Sequence, residues 1–468
     1  MSLNSISPID GRYEKSTSLL SPIFSERGLM RYRIIVEGEY LIALSGLKIK
    51  LRKFSEKEKK IIRSCYDFRD EDAKIISDIE TKGYKNIKAT DHDVKAIEYF
   101  MKDKLSLTTL KDVLEWVHFG LTSEDVNNIS YGLMLQDGVA VLSKKIEEII
   151  QEIEKLAKVH NSLSMLARTH GQPATPTTFG KEFKVFASRL ERQISHLQKQ
   201  NILVKLNGAT GNYNAHMVAY PNIDWIKFTK TFITQLNNLE PRTPPDGRAG
   251  LHLEPNLLTT QIEPHDSFIE IFDNLKRVNS ILIDFNQDMW RYISDDWIVQ
   301  KTTEGTVGSS TMPHKVNPIK FENSEGNLGI ANALFEFFAR KLPISRLQRD
   351  LSDSTVQRNF GTAFSHSLIA YEYLLKGLSK ISVNKNKISE ILNNHPEVIT
   401  EAIQTILRRE GVKMPYEQLK ELTRGKTITL SDLHAFINTL KVSEQVKKEL
   451  LKITPENYTG LASKLASR

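Results

Sequence analysis

The chain has 468 residues, 40% apolar and 26% charged, the make-up of an ordinary globular protein long enough for two or three domains. Its 64 basic and 57 acidic residues leave a net charge of +7. The basic residues are interleaved with Glu and Asp, so this excess reads as solvated helix faces and a field that gathers anionic substrates, not as a nucleic-acid stripe. One cysteine, Cys65, excludes an internal disulfide and a cysteine-rich zinc site. No run of about 18 apolar residues exists and Met1 to Asp10 lacks a signal-peptide layout, so a cytoplasmic location is expected.

Near the start, Gly11-Arg12-Tyr13 sets a guanidinium fork beside a phenol. Such a pair suits a phosphate, and it is also common on ordinary surfaces. Lys48, Lys50, Arg52 and Lys53 form the densest basic patch, soon answered by Glu56 and Glu58. Asp91-His92-Asp93 places a histidine between carboxylates, which tend to hold an imidazole charged or in one tautomer. No second His or Cys stands three or four residues away, so a helical zinc pair is not expected there. Thr122-Ser123-Glu124-Asp125 reads as a helix N-cap with carboxylates in the first turn. The free N–H groups of such a helix end can also hold an anion.

Helical periodicity dominates the middle of the chain. Leu142, Ile146, Ile149, Ile150, Ile153 and Leu156 make one apolar stripe, and Phe183, Phe186, Leu190, Ile194 and Leu197 make another. Between them Arg168–Thr178 reads as a loop, with Gly171 and Pro173 forcing a turn at His170. A histidine in such a turn can titrate near neutral pH, as a general acid must, or can simply be satisfied by the carbonyls of a helix end. Asn207–Asn214 and Pro241–Pro255 read as further loops, the second an exposed excursion. The segment from Phe268 to Ile293 has apolar residues on several faces, the mark of a helix enclosed by other helices or by a subunit interface. Helices are also predicted over Gly326–Lys341 and Ala363–Ile381, and shorter charged helices fill the C-terminal third.

The stretch 308–318, Gly-Ser-Ser-Thr-Met-Pro-His-Lys-Val-Asn-Pro, carries two hydroxyls, Ser309 and Ser310, with Lys315 and Asn317 close behind. Gly305 and Gly308 free the approach to the serines. This is either a polar surface loop or a loop able to close over an anion and bring a hydroxyl to it. Gly425-Lys426-Thr427 ends like a Walker loop, but Lys420 occupies the place of its first glycine. No nicotinamide fingerprint, zinc-protease motif or hydrolase elbow is present.

The 308–318 wording and its continuation to Asn327 resemble the signature of the fumarase/aspartase superfamily, and the adenylosuccinate lyase family in particular. Motifs resembling that family recur in order from Gly11-Arg12-Tyr13 to Leu422-Thr423-Arg424-Gly425-Lys426. The resemblance implies an all-α fold with a central long-helix bundle flanked by two smaller helical domains, over 1–112, 113–362 and 363–468. It implies β-elimination of fumarate from adenylosuccinate and from the succinylated aminoimidazole carboxamide ribotide. It makes Ser309 the general base and His170 the general acid. It assigns substrate contacts to Arg12, Tyr13, Asp91, His92, Asp93, Thr122, Ser123 and Gln261. Ser310, Lys315, Val316, Asn317, Asn323 and Arg349 join them, as does the run Ser354, Thr355, Val356, Gln357 and Arg358. Asp91 stands where the family's pattern has Asn, and the 241–255 loop looks longer than is usual there. A homotetramer with sites shared between subunits is implied, with nucleotide substrates and no metal or cofactor. The competing expectations are a superfamily relative such as an argininosuccinate lyase, which has no use for phosphate ligands, and a non-catalytic helical scaffold or basic nucleic-acid binder that keeps the fold.

Overall fold

The computed structural model describes residues 3–239, 251–301, 312, 314–425 and 428–468. Helices dominate it, and the described strands form three two-stranded sheets. The chain divides into two compact units. The first comprises Met1–Ile146, Gln193–Ser280 and Gly326–Glu372, and the second Glu147–Arg192, Ile281–Glu325 and Tyr373–Arg468. The helices Ser123–Val159, Phe179–Leu197, Asp266–Ser294, Ile319–Lys341 and Phe360–Leu378 contribute residues to both.

Periodicity correctly anticipates these long helices. In the 37-residue Ser123–Val159 helix, Leu142, Ile146, Ile149 and Ile153 are fully buried along one stripe. In Asp266–Ser294 the many-faced apolar pattern is also explained, because Phe272, Leu275, Val278, Leu282 and Met289 are all inaccessible.

The core of the first unit is aromatic. Phe272, Phe335, Phe338, Phe360 and Phe364 interlock, with the Phe272 and Phe360 rings 4.9 Å apart. Phe24 packs on Phe364 at 4.8 Å because Gly138 leaves room for it, since a Cβ there would lie 2.5 Å from the Phe24 ring. In the second unit Phe179, Phe183, Phe186 and Phe285 form a smaller aromatic group. A separate aliphatic core of Ile399, Ile403, Leu407, Leu433, Ile437 and Leu450 holds the C-terminal helices together.

Three expectations need correction. Arg168–Thr178 is not an irregular loop. Ser164–Thr169 and Gln172–Thr178 pair antiparallel as a hairpin, with Thr169 opposite Gln172. Position 251 onward is not an excursion: Leu251 and Leu253 are buried, and His252–Pro255 pairs in parallel with Asn201–Val204. Gln172–Thr178 and His252–Pro255 are short, carry proline and lack an alternating signal, while their backbone groups still require partners. Ile381 is likewise not helical. It starts the strand Ile381–Val383, which pairs with Ile298–Gln300. The 241–250 part of the predicted loop lies outside the described residues. Among the described residues no helix is long and apolar enough to cross a membrane.

Candidate active site

The first unit gathers residues that are far apart in sequence around one carboxylate, Asp93. His92 caps the Asp93–Ser106 helix, its Nδ1 accepting the Lys95 backbone N–H at 3.3 Å. That leaves the ring proton on Nε2, which faces Ser123 Oγ at 3.5 Å. Asp93 Oδ2 accepts from Arg33 Nη2 at 2.7 Å and from Arg358 Nη2 at 3.0 Å. Arg33 is buried and is also tied to Asn127 Oδ1 at 2.8 Å. Burial alone would raise the Asp93 carboxyl, but the two guanidiniums more than reverse this and hold it below the usual carboxylate range. Arg358 also donates to Ser354 Oγ at 2.7 Å, and Glu26 lies 3.5 Å from its Nε. Arg358 lines a hydroxyl-rich cavity of about 390 Å³ with Ser21, Ser25, Thr362 and Ser365. Asp93 thus bridges two guanidiniums, of which Arg33 is buried and Arg358 exposed, and Ser354, His92 and Ser123 place two hydroxyls and an imidazole N–H around them.

Beside it lies a buried group of Glu124, His265 and Asp353, with the half-buried Arg349 against it. Arg349 Nη2 stands 3.2 Å from Glu124 Oε2, and Nη1 is 3.4 Å from Gln261 Oε1. His265, at φ 66, has Nε2 3.2 Å from the Gln357 amide and 3.8 Å from Asp353 Oδ2. Burial pushes the Glu124 carboxyl up to about 7 against the pull of Arg349. Glu124, His265 and Asp353 each offer an atom within 4.8 Å of the others, a spacing that could suit a metal ion. The Arg349 guanidinium already supplies the positive charge there, so the cluster reads as an ion-pair network.

The adjacent loop is fixed from beneath. Asp125 and Lys205 are fully buried and paired at 2.7 Å. Asp125 also accepts the backbone N–H groups of Asn207 at 3.0 Å, Gly208 at 3.2 Å and Thr122 at 2.9 Å. Asn207 in turn donates to Thr259 Oγ1 at 2.9 Å, which anchors the segment leading to Gln261. One buried carboxylate therefore joins the Thr122-Ser123 helix start, the 207–214 loop and the Gln261 approach.

The second unit carries the other set. His170 and Gly171 form the two-residue tip of the hairpin, both at positive φ, 53 and 73, as a type I′ turn requires. Arg168 through Gln172 are exposed, and among the described residues the His170 ring has no hydrogen-bond or ion-pair partner. The base of the hairpin is tied down through Ser164 Oγ to the Glu456 carbonyl at 2.6 Å and Thr175 Oγ1 to Glu401 at 2.9 Å. Lys315 is exposed, its backbone N–H bonded to the Met312 carbonyl at 3.0 Å. Val316 is 40% exposed and its carbonyl accepts from Gln300, while Asn317 and Asn323 are half-buried. Ser309 and Ser310 lie outside the described residues.

The sequence-predicted residues thus separate. His92, Asp93, Thr122, Ser123, Gln261, Arg349, Ser354 and Arg358 share the first unit's network, while His170, Lys315, Val316, Asn317 and Asn323 belong to the second unit. Asp91 is exposed with φ 49, a left-handed position that Asp and Asn tolerate better than other side chains. Arg12 is exposed and Tyr13 half-buried at the first unit's N-terminal turn. Thr355 is exposed, but Val356 is buried and the Gln357 amide is engaged by His265. Sequence reading assigned no site role to Arg33, Glu124, Asp125, Lys205, His265 or Asp353. A signal existed for two of them: Arg33 precedes Ile34-Ile35-Val36, and Lys205 sits between Val204 and Leu206. A charge inside an apolar run marks a buried, paired group.

The comparisons agree along the whole chain. Residues 11–331 match the family described as "Lyase", and residues 345–459 the family described as "Adenylosuccinate lyase C-terminal". The chain is 48% identical over 468 residues to the adenylosuccinate lyase of Legionella pneumophila (strain Corby), covering 99% of this chain and 98% of that one. It is 46% identical over 471 residues to that of Haemophilus influenzae (strain ATCC 51907 / DSM 11121 / KW20 / Rd), covering 100% and 98%. In fold it is similar to the crystal structure of a fumarate lyase from Mesorhizobium sp. BNC1, with a TM-score of 0.71 at 16% identity and 96% of each chain covered.

Proposed function

The chain belongs to the adenylosuccinate lyase family, and from that premise we propose that it splits adenylosuccinate into AMP and fumarate by β-elimination, and acts likewise on the succinylated aminoimidazole carboxamide ribotide. The observation that carries this reading is the convergence of Arg358, Ser354, His92 and Ser123 around the Asp93 carboxylate, which holds the Arg358 guanidinium in place. Arg358 and Ser354 suit the substrate phosphate. Thr122 and Ser123, at the start of a long helix, suit a succinyl carboxylate. Gln261 and Arg349 extend the same surface.

The chemical difficulty is a weakly acidic C–H proton next to a carboxylate. In the proposed sequence Ser309 Oγ, as alkoxide, takes that proton, and the electron pair spreads into the carboxylate held by Lys315 and Asn317. The pair then forms the fumarate double bond as the C–N bond breaks, and His170 delivers a proton to the departing nitrogen. Backbone N–H groups and Lys315 favour the alkoxide once water is excluded. The exposed His170 tip supports a homotetramer in which one subunit lends its histidine to a site on another. Cytoplasmic action on soluble nucleotides completes the proposal.

Purified protein given adenylosuccinate should release AMP and fumarate one for one, and should leave argininosuccinate untouched. Mixing His170→Ala protein with Ser309→Ala protein and allowing subunits to exchange should restore activity that neither has alone. No recovery from verified mixed tetramers would sink the shared-site arrangement.

A further inference from the structure

Glu124 is 1% exposed although it stands in the first turn of the Ser123–Val159 helix, one residue past Ser123. A first-turn carboxylate stabilises a helix equally well from the solvent side. Here both carboxylate oxygens are buried without a hydrogen bond, which is costly. The nearest charge is Arg349, which is 14% exposed, with Nη2 at 3.2 Å. The opposite corner of that guanidinium meets Gln261 Oε1 at 3.4 Å, and its Nε is buried without a partner. The guanidinium is thus held between one carboxylate and one amide. His265 and Asp353 pack against the same carboxylate, and Asp353 Oδ1 accepts the Ser354 backbone N–H at 2.8 Å. The cluster therefore borders both Arg349 and the serine that binds Arg358.

We propose that Glu124 is a positioning residue, which sets the direction of the Arg349 guanidinium in the substrate site and so governs how firmly the anionic substrate is held. A carboxylate on a rigid helix gives the long Arg349 side chain one orientation before substrate arrives, which lowers the ordering cost of binding. This rests on the reading that Arg349 contacts substrate.

Steady-state kinetics with adenylosuccinate on Glu124→Gln, Glu124→Asp, Arg349→Lys and the Glu124→Gln/Arg349→Lys double variant test it. Glu124→Gln should raise KM about 10- to 100-fold with kcat within about threefold. Glu124→Asp, which keeps the charge, should recover part of the loss. The double variant should be no worse than Arg349→Lys, because both changes remove one arrangement. An unchanged or lowered KM in Glu124→Gln overturns the proposal, as does a double variant whose loss is the product of the two. Should Glu124→Gln fail to fold, Glu124→Asp alone decides: a raised KM supports the positioning role and a wild-type KM overturns it. A wild-type KM in Arg349→Lys would instead remove Arg349 from the substrate site, which separates failure of the premise from failure of the inference.

Discussion

The Asp93 and Asp125 networks of the first unit and the His170 tip of the second are built on opposite plans. In the networks each carboxylate answers several partners, and Arg33, Asp125 and Lys205 are buried: Asp93 holds two guanidiniums, and Asp125 holds an ammonium and three backbone N–H groups. At the tip, an exposed histidine stands on a two-residue turn with no partner among the described residues. Binding groups that must meet a polyanion before it arrives gain from being fixed in advance. A proton donor that meets the substrate from elsewhere needs a firm mount and free space. Stability and function should therefore be coupled in the networks and separable at the tip.

The largest effect expected is at the tip. His170→Ala should lower kcat by about 10²- to 10⁴-fold while leaving the melting temperature within about 2 °C of wild type. Parallel turnover and thermal scans would show this, and a large loss of stability would break the contrast. In the networks the opposite balance should appear. Lys205→Met leaves Asp125 buried and unpaired, so it should cost about 3–5 kcal/mol in denaturant titration and loosen Gln261 as well. A variant as stable as wild type would mean that Asp125 is not a keystone. Arg358→Ala should weaken AMP binding about 10- to 100-fold, read by calorimetry, since it removes the proposed charge-assisted contact to phosphate.

A pH dependence sharpens the same contrast. His118 Nδ1 lies 2.5 Å from the buried Glu37 carboxylate. Burial alone would lower the His118 value, but the charge and hydrogen bond of Glu37 more than offset it, so the histidine titrates above its ordinary range. A raised folded value stabilises the protein fully below about pH 6.5, the ordinary histidine value, and the gain is lost as pH rises through the folded value. His118→Asn, which tolerates the positive φ of 63, should therefore cost about 1–2 kcal/mol at pH 5.5 and less at pH 9. An equal cost at both would remove the ion pair from the account. The smallest effect belongs to the hairpin. Gly171→Ala meets no atom within 4 Å, so only backbone strain at φ 73 remains, about 1 kcal/mol by chemical denaturation.

The long helices were legible because each repeats its apolar positions every three or four residues over several turns, as from Leu142 to Ile153. The motif residues His92, Asp93, Ser123, Arg349 and Arg358 are legible as wording, and His92, Ser123 and Arg358 gather about Asp93, while Arg349 lies beside them. The hairpin under His170 was not legible, because its strands carry proline and no alternation. Glu124 and Asp125 looked like ordinary first-turn carboxylates, and nothing local distinguishes a cap in water from one sealed beneath Arg349 or Lys205.

The sequence by itself determined the helical class, the long enclosed segment from 268 to 293, the turn at His170 and the family. These are set by short-range periodicity, turn chemistry and contiguous motifs, all of which act within a few turns of chain. Only the tertiary structure decided that Arg33, Asp93 and Arg358 share one carboxylate, that Asp125 anchors a loop some 80 residues away through Lys205, and that Glu124 faces Arg349. The physical reason is that a charge carries no mark of its partner. Which helices pack together sets the pairing, and the cost of leaving a buried charge alone then enforces it.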